Sequence, residues 1–593
     1  MNKKSPLLYV IKFFLREKPS YLFVIFCESI LWSLTYVFTS VYLLKILFDY
    51  IQNEVSLLKI IVLIGFTAVL CLTVYLINVL TNHSYRPKIE AILSEKIKLS
   101  IYRKYLDIPL SQFETKEVEE NYFFILSDSP SRFFAVINDI AKLISQIVSM
   151  LFIIGLMASI DLILVIIMIP FSIIFFFLNM KKNKIMFEKE MAVVRQNKEK
   201  EYINRLFYLP QYAKEIRCSN ISNAAFDHFH CCYVDLEKKF KFFGKKIIKI
   251  EMFSYFVTAL VFDMFLLLYS TLKLVVYREY SVGDYTAVIN SVWKLYGNIN
   301  SIMGAFAKFK LHSDYLGKYI DFINLQPTKK IDGKKTTKFE YLSLNNVSFS
   351  YDNAIQAINN ISLNIFAGQK IAIVGYNGAG KTTLIKLIMG LYSASSGEIT
   401  YNGTKYSEYS NDDLTSRFRL ASQENNLYSV SFAENVFMNR YNSKQQRTEY
   451  DLICKKAELD ELIHKHTIEP ESTMTSEFDE CGIVLSGGET QLVNISRIFG
   501  SDKADIYILD EPSSALDVFR ESLVNKMLLS TDKTLIVITH KLGIVKNVDR
   551  IYFMENGKIV EAGNHSELIA QKGKYFELFN SQKQRFQIDK DGD

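Results

Sequence analysis

The strongest constraint on this chain is that its first 325 residues carry six apolar stretches near membrane-spanning length, whereas the sequence from about residue 339 onward reads as a soluble domain. A bilayer's hydrocarbon core is about 30 Å thick, and an α-helix rising ~1.5 Å per residue crosses it in about 20 residues. Lipid offers backbone N–H and C=O groups no partners, so such stretches are expected to form helices that satisfy their own backbone. They are residues 21–48, 57–79, 135–157, 162–178, 253–276 and 285–306. The fourth is short and contains Pro170, and the third and sixth are the least apolar, which suits helices facing other helices.

The distribution of basic residues orients these spans. Lys3, Lys4, Lys12, Arg16 and Lys18 precede the first; Arg86, Lys88, Lys96, Lys98, Arg103 and Lys104 follow the second; residues 181–247 hold 15 Lys and Arg. The short loops on the other side are nearly bare of them, with only Arg278 in YREYSVG. Both termini are therefore expected to be cytoplasmic in a multi-pass membrane protein, and the lysine- and asparagine-rich composition suggests a bacterial cell membrane. The amphipathic start LLYVIKFFL lacks a small-residue cleavage site, so a membrane-entry helix is expected there instead of a secretory signal. The two cytoplasmic loops far exceed ordinary connections of about 4–6 residues, and their mixed charged and apolar pattern predicts helices continuing beyond the bilayer.

The expected organisation is a membrane domain over 1–325, a polar basic linker QPTKKIDGKKTTK at 326–338, a soluble domain over 339–585 and a polar tail at 586–593. The net charge of +6 arises from 69 basic and 63 acidic residues, too mild a balance to point to nucleic acid. The seven cysteines show no repeating spacing and read as reduced thiols. His228, His230, Cys231 and Cys232 lie in a predicted helix where they cannot all point one way, so no metal site is expected from them.

The soluble half carries phosphate chemistry. Gly375, Tyr376, Asn377, Gly378, Ala379, Gly380, Lys381, Thr382 and Thr383 fit G-x-x-x-x-G-K-[ST], between the strand-like KIAIVG and the helix-like LIKLIMG. Glycines allow backbone amides to close around phosphate oxygens, and the helix start adds partial positive charge. Lys381 suits the β- and γ-phosphates and Thr382 suits Mg²⁺. Downstream, IYILDE ends a strand-like run in Asp510, placed for Mg²⁺, and Glu511, placed to polarise water. His540 closes another β-branched run, LIVITH, at a position suited to the γ-phosphate and its water.

The segment Leu485, Ser486, Gly487, Gly488, Glu489 resembles the LSGGQ signature of ATP-binding cassette proteins. The other motifs match that family in order: Tyr351 resembles the aromatic that stacks on adenine, Gln423 the glutamine linking Mg²⁺ to the membrane domain, Ser514 to Asp517 the D-loop, and His540 the switch histidine. Six spans followed by this cassette resemble a half-size exporter over essentially the whole chain. The resemblance implies a fold class of α-helical six-span exporter domain plus α/β P-loop domain, with ATP and Mg²⁺ as ligands. It implies a nucleotide shared between two cassettes, one giving Tyr351, residues 375–383, Gln423, Asp510, Glu511 and His540, the other Ser486, Gly487 and Gly488. Thr382, Gln423 and Asp510 are the implied metal ligands, and Glu511 and His540 the catalytic pair. A second copy of the chain is the expected partner, with a heterodimer also open.

Two positions depart from the family pattern. Glu489 stands where glutamine is usual, in a first helical turn whose dipole suits an acid, and SEFDECG places Cys481 where a basic residue is common. The resemblance also places short coupling helices near residues 105–120 and 208–220, the second containing Lys214, Glu215, Ile216 and Arg217 in a pattern similar to lantibiotic-type peptide exporters. Cargo therefore reads as a bacteriocin-like or signalling peptide, any leader being removed by a separate enzyme. A lipid or amphipathic drug is the alternative. Within the spans, Glu28 and Asp263 are costly charges, open to either cargo contact or interhelical pairing; Lys45, Asp139, Lys142 and Lys294 read as snorkelling groups.

Overall fold

The computed structural model describes residues 5–257, 263–325, 333–351 and 356–588. Part of the expected fifth span (258–262), most of the linker (326–332) and the end of the tail (589–593) lie outside the described residues. The chain separates into two compact units: Met1–Tyr105 with Glu117–Leu325, and Leu106–Lys116 with Gln326–Asp593.

The first unit is helical. Helices over Pro19–Gln52, Leu57–Asp107, Asp128–Ile160 and Leu162–Tyr208 are long and apolar enough to cross a membrane. They contain the first four expected spans. The fifth is represented by the shorter apolar helix Met264–Val275. The sixth lies inside the continuous helix Val282–Ile323, whose start is fixed by a reciprocal capping box between Ser281 and Asp284. The 47 residues of Leu162–Tyr208 amount to about 70 Å of helix, more than twice the hydrocarbon thickness. This matches the expectation that the loop after the fourth span continues as helix, and Ile221–Tyr255 returns alongside it.

The charges within the expected spans are paired more than the sequence suggests. Glu28, buried, accepts from Arg86 at 3.0 Å and from Asn78, an interhelical arrangement. Asp139 is buried against His312 at 3.2 Å and Lys308 at 3.4 Å, and Lys45 pairs with Asp284. Snorkelling is thus the wrong description for Asp139 and Lys45: partners on Val282–Ile323, remote in sequence, satisfy them inside the unit. Asp263 Oδ1 is buried with no hydrogen-bond partner among the described residues.

The second unit contains two sheets. Strands β1 (Tyr341–Ser350), β2 (Gln356–Phe366), β4 (Ser396–Tyr401) and β5 (Thr404–Lys405) form an antiparallel sheet in the order β2-β1-β4-β5. Strands β3 (Lys370–Gly375), β6 (Phe418–Ala421), β7 (Ile506–Asp510), β8 (Thr534–Ile538), β9 (Arg550–Glu555) and β10 (Lys558–Gly563) form the other, in the order β10-β9-β3-β8-β7-β6. All its pairings are parallel except β9–β10. β7 and β8 are buried at every residue, which explains their unbroken apolar sequences: a parallel strand covered on both faces has no solvent side to alternate with. Parallel pairing brings the carboxyl ends of β3, β7 and β8 to one edge, where ligands bind in open α/β sheets.

Leu106–Lys116, expected in the membrane domain, clusters with this second unit. Its short helix Leu110–Phe113 sets Leu110 against the apolar core, and Glu114 accepts from Lys386 Nζ at 2.9 Å and from the Tyr392 hydroxyl. The other expected coupling position forms the helix Pro210–Cys218.

Candidate nucleotide site

The glycine-rich loop follows β3 directly and leads into the helix Lys381–Ile388. Two glycines are sterically required. A Cβ at Gly375, where φ is +153°, would stand 2.2 Å from the Met554 carbonyl oxygen, and one at Gly380, where φ is +96°, 2.7 Å from that of Ala357. The backbone therefore makes a turn unavailable to larger residues, as a phosphate-cradling loop needs. Leu384, Ile385, Leu387 and Ile388 bury one side of the helix and fix its start. Lys381 Nζ donates to the carbonyls of Gly375 at 2.9 Å and Tyr376 at 3.0 Å, which holds the ammonium across the loop. Burial lowers its pKa, opposed by Glu511 and Asp510. Tyr376, Asn377 and Gly378 form the exposed crest, while Ala379 and Thr383 are buried.

Asp510 ends β7, and its Oδ2 accepts from the Thr382 hydroxyl at 3.3 Å. Burial, and next the Glu511 charge, raise the Asp510 carboxyl above its ordinary range against the opposing Thr382 and Lys381. A hydroxyl, a carboxylate and an amide carbonyl are hard oxygen donors, so Thr382, Asp510 and Gln423 fit Mg²⁺ in donor chemistry.

Glu511 takes a left-handed backbone conformation at φ +51°. Its N–H donates to Ile538 O at 2.9 Å, and its carbonyl accepts from Gln491 Nε2 at 3.1 Å. The carboxylate so aimed lies between Gln423 Nε2 at 3.4 Å and His540 Nδ1 at 3.2 Å. Gln491 also accepts from Ala515 N at 2.8 Å, tying the 511–515 turn to the helix Gly487–Ser496. No motif in the sequence marks Gln491; burial with paired backbone contacts is its only signal.

The structure thus brings together Lys381, Thr382, Gln423, Asp510, Glu511 and His540. Tyr351 lies to one side, its ring edge-on to Phe349 and Tyr392 and its hydroxyl 2.9 Å from Thr383 Oγ1. Ser486, Gly487 and Gly488 open the helix Gly487–Ser496, with Ser486 as its cap, and make no hydrogen bond to the 375–383 loop among the described residues. Within one chain the signature and the phosphate loop are separate features.

Fold and geometry define a P-loop nucleotide-binding cassette in a chain that also carries long apolar helices. Residues 358–514 match the ABC transporter family, and the helices long and apolar enough to cross a membrane lie amino-terminal to that match. Its fold resembles that of a bacterial Atm1-family ABC exporter with ATP bound, with a TM-score of 0.72 and 17% identity over 96% of this chain and 98% of that one. Among curated relatives, the subtilin transport ATP-binding protein SpaT of Bacillus subtilis is 25% identical over 86% of this chain and 83% of its own. The uncharacterized ABC transporter ATP-binding protein YwjA of the same species is 32% identical over 56% of each chain. A putative multidrug export ATP-binding/permease protein of Staphylococcus aureus is 35% identical over 41% of each. The chain therefore spans about half the length of these last two relatives in alignment.

Proposed function

We propose that this protein is an ATP-hydrolysing exporter of the bacterial cell membrane, working as a dimer, with a peptide as cargo. The observation that carries the hydrolytic reading is the placement of Glu511 between Gln423 and His540, beside the Thr382–Asp510 pair and the phosphate loop. In this reading the loop amides and Lys381 hold the β- and γ-phosphates, and Tyr351 faces the adenine. Glu511 polarises the attacking water, and His540 orients it against the γ-phosphate. Mg²⁺, held by Thr382, Asp510 and Gln423, would neutralise charge on the phosphate oxygens. Ser486, Gly487 and Gly488 act on the nucleotide held by the other copy, so one phosphate loop and one signature per chain suffice in a homodimer; a heterodimer would use the same geometry.

In this reading residues 1–325 are the membrane part with its long cytoplasmic loops, apart from Leu106–Lys116, which belongs to the cassette unit; 326–338 are the linker, 339–585 the cassette and 586–593 a tail, with both termini cytoplasmic. The near full-length alignment with a subtilin transport protein supports a bacteriocin-like or signalling peptide as cargo. The alternative, a lipid or amphipathic drug, draws support from a cavity of about 540 Å³ in the helical unit, lined by Met150, Met157, Met168, Phe176, Phe177 and Ile299, and from the multidrug relatives. The test compares peptides and small molecules released by native cells carrying wild-type protein or Glu511→Gln, using mass spectrometry. A peptide absent from the variant's medium and accumulating inside supports the first reading. An unchanged peptide profile with retained lipids or added amphipathic drugs refutes it in favour of the second.

A further inference from the structure

Glu489 stands where the family signature has a neutral glutamine, and the structure sets the Lys465 ammonium and the His466 ring against its carboxylate. We propose that Lys465, with His466 beside it, neutralises Glu489 and so keeps an acidic signature compatible with the γ-phosphate of a nucleotide held by a second copy. This rests on the shared-nucleotide reading above.

The carboxylate has two separate duties. Its Oε2 accepts from Ser486 N and Ser486 Oγ, both at 2.8 Å, completing a capping box with the helix Gly487–Ser496. Its Oε1 accepts from Lys465 Nζ at 2.7 Å and contacts His466 Nε2 at 3.1 Å. Glu489 is only 3% exposed, so water does little to screen it. Burial raises its pKa, but Lys465, the Ser486 N–H and hydroxyl, and His466 outweigh this and hold it well below the ordinary carboxylate range. It is ionised at neutral pH.

A glutamine performs the capping duty equally well and needs no cation. The carboxylate adds a full negative charge to the first turn of the helix whose positive end would face the γ-phosphate. Unneutralised, that charge opposes the incoming phosphate across a low-dielectric interface. Lys465 lies in the last turn of the helix Asp460–His466, whose carboxyl terminus also favours its positive charge. The clamp therefore offsets the extra charge and leaves the Ser486 cap intact. Lys465 acts through Glu489 and is a positioning residue.

The test uses full-length protein in lipid nanodiscs: wild type, Lys465→Met, Lys465→Arg, Glu489→Gln, and the Lys465→Met/Glu489→Gln pair. Lys465 is 59% exposed at its side chain, and Glu489→Gln is isosteric, so all are expected to fold; thermal melting checks this. Lys465→Met should raise the KM for ATP roughly tenfold, as expected for one uncompensated charge near a phosphate. MgADP affinity, which involves no γ-phosphate, should stay within about twofold. Lys465→Arg should stay near wild type. In the Glu489→Gln background, Lys465→Met should change the KM by less than about threefold. An equal rise in both backgrounds, no rise in either, a parallel loss of MgADP affinity, or Lys465→Arg matching Lys465→Met would overturn the inference while hydrolysis by the wild type leaves the shared-nucleotide reading standing. A wild type that hydrolyses no ATP would overturn both.

Discussion

Glu511→Gln separates the chemistry of this site from its architecture. The side chain keeps its length, and the backbone that aims it is held independently, by Ile538 O accepting from its N–H and by Gln491 donating to its carbonyl. The fold should therefore register the change weakly, within about 0.5 kcal/mol. The loss falls on the charge. Glu511 is the carboxylate lying against both Gln423 and His540, and an amide there cannot withdraw a water proton. Losing one preorganised electrostatic group costs about 3–4 kcal/mol, and a positioned general base contributes about 10²–10⁴ in rate. Steady-state phosphate release should accordingly fall by about 10³-fold, while ATP binding, which the proposed function assigns to the 375–383 loop, Lys381 and Tyr351, should persist. The assay is phosphate release from full-length protein in nanodiscs, with fluorescent-nucleotide binding measured on the same samples. Turnover within about tenfold of wild type would refute the assignment of Glu511; loss of nucleotide binding together with turnover would show that the residue holds the site together instead of acting on water.

Other positions give independent checks. Asp510 has a raised pKa in the folded state through burial and Glu511, so the folded protein binds its proton more tightly than the unfolded chain. Nucleotide-free stability should therefore rise as pH falls from above the folded pKa toward the ordinary value of 3.8; Asp510→Asn should lose that pH dependence, melt higher at neutral pH and hydrolyse no ATP, as melting curves across pH and phosphate release would show. Gln491→Ala removes contacts to Glu511 O, Ser514 and Ala515 N; it should cost about 2–3 kcal/mol and lower turnover at temperatures well below melting. Arg497 is buried and donates to Asn435 O, Asn494 Oδ1 and Asn426 O, so Arg497→Met should cost about 3–5 kcal/mol by denaturant unfolding of the cassette transition. Glu215→Ala, on the exposed helix Pro210–Cys218, should leave ATP hydrolysis intact and abolish cargo release; unchanged release would remove Glu215 from the coupling route.

What could be read from the sequence follows the range over which each feature is determined. The phosphate loop was legible because its elements are contiguous: an apolar strand, glycines at positions a Cβ would block, and a helix start. Asp510 and Glu511 were legible because a fully buried strand ends in them. The first four spans were legible because lipid imposes length and composition on each helix separately. Asp139 looked like a span-end charge because its partner His312 lies 173 residues away. Gln491 drew no reading from the sequence because its contacts are with a turn beginning 20 residues later.

Glu489 shows both ranges in one residue. The spacing of Ser486 and Glu489 announces a helix start through a rule spanning one turn, and the capping box forms as that rule requires. The same local rule gives no reason to prefer Glu over Gln, and it makes the extra charge look harmless because a helix amino terminus welcomes acids. The neutralising Lys465 arrives from a helix 24 residues upstream, and nothing in the signature itself requires it. If a second copy's γ-phosphate faces that turn, Glu489 alone would be unfavourable and Glu489 with Lys465 tolerable. The two positions are then one functional unit, and a substitution at either can be interpreted only with the other in view.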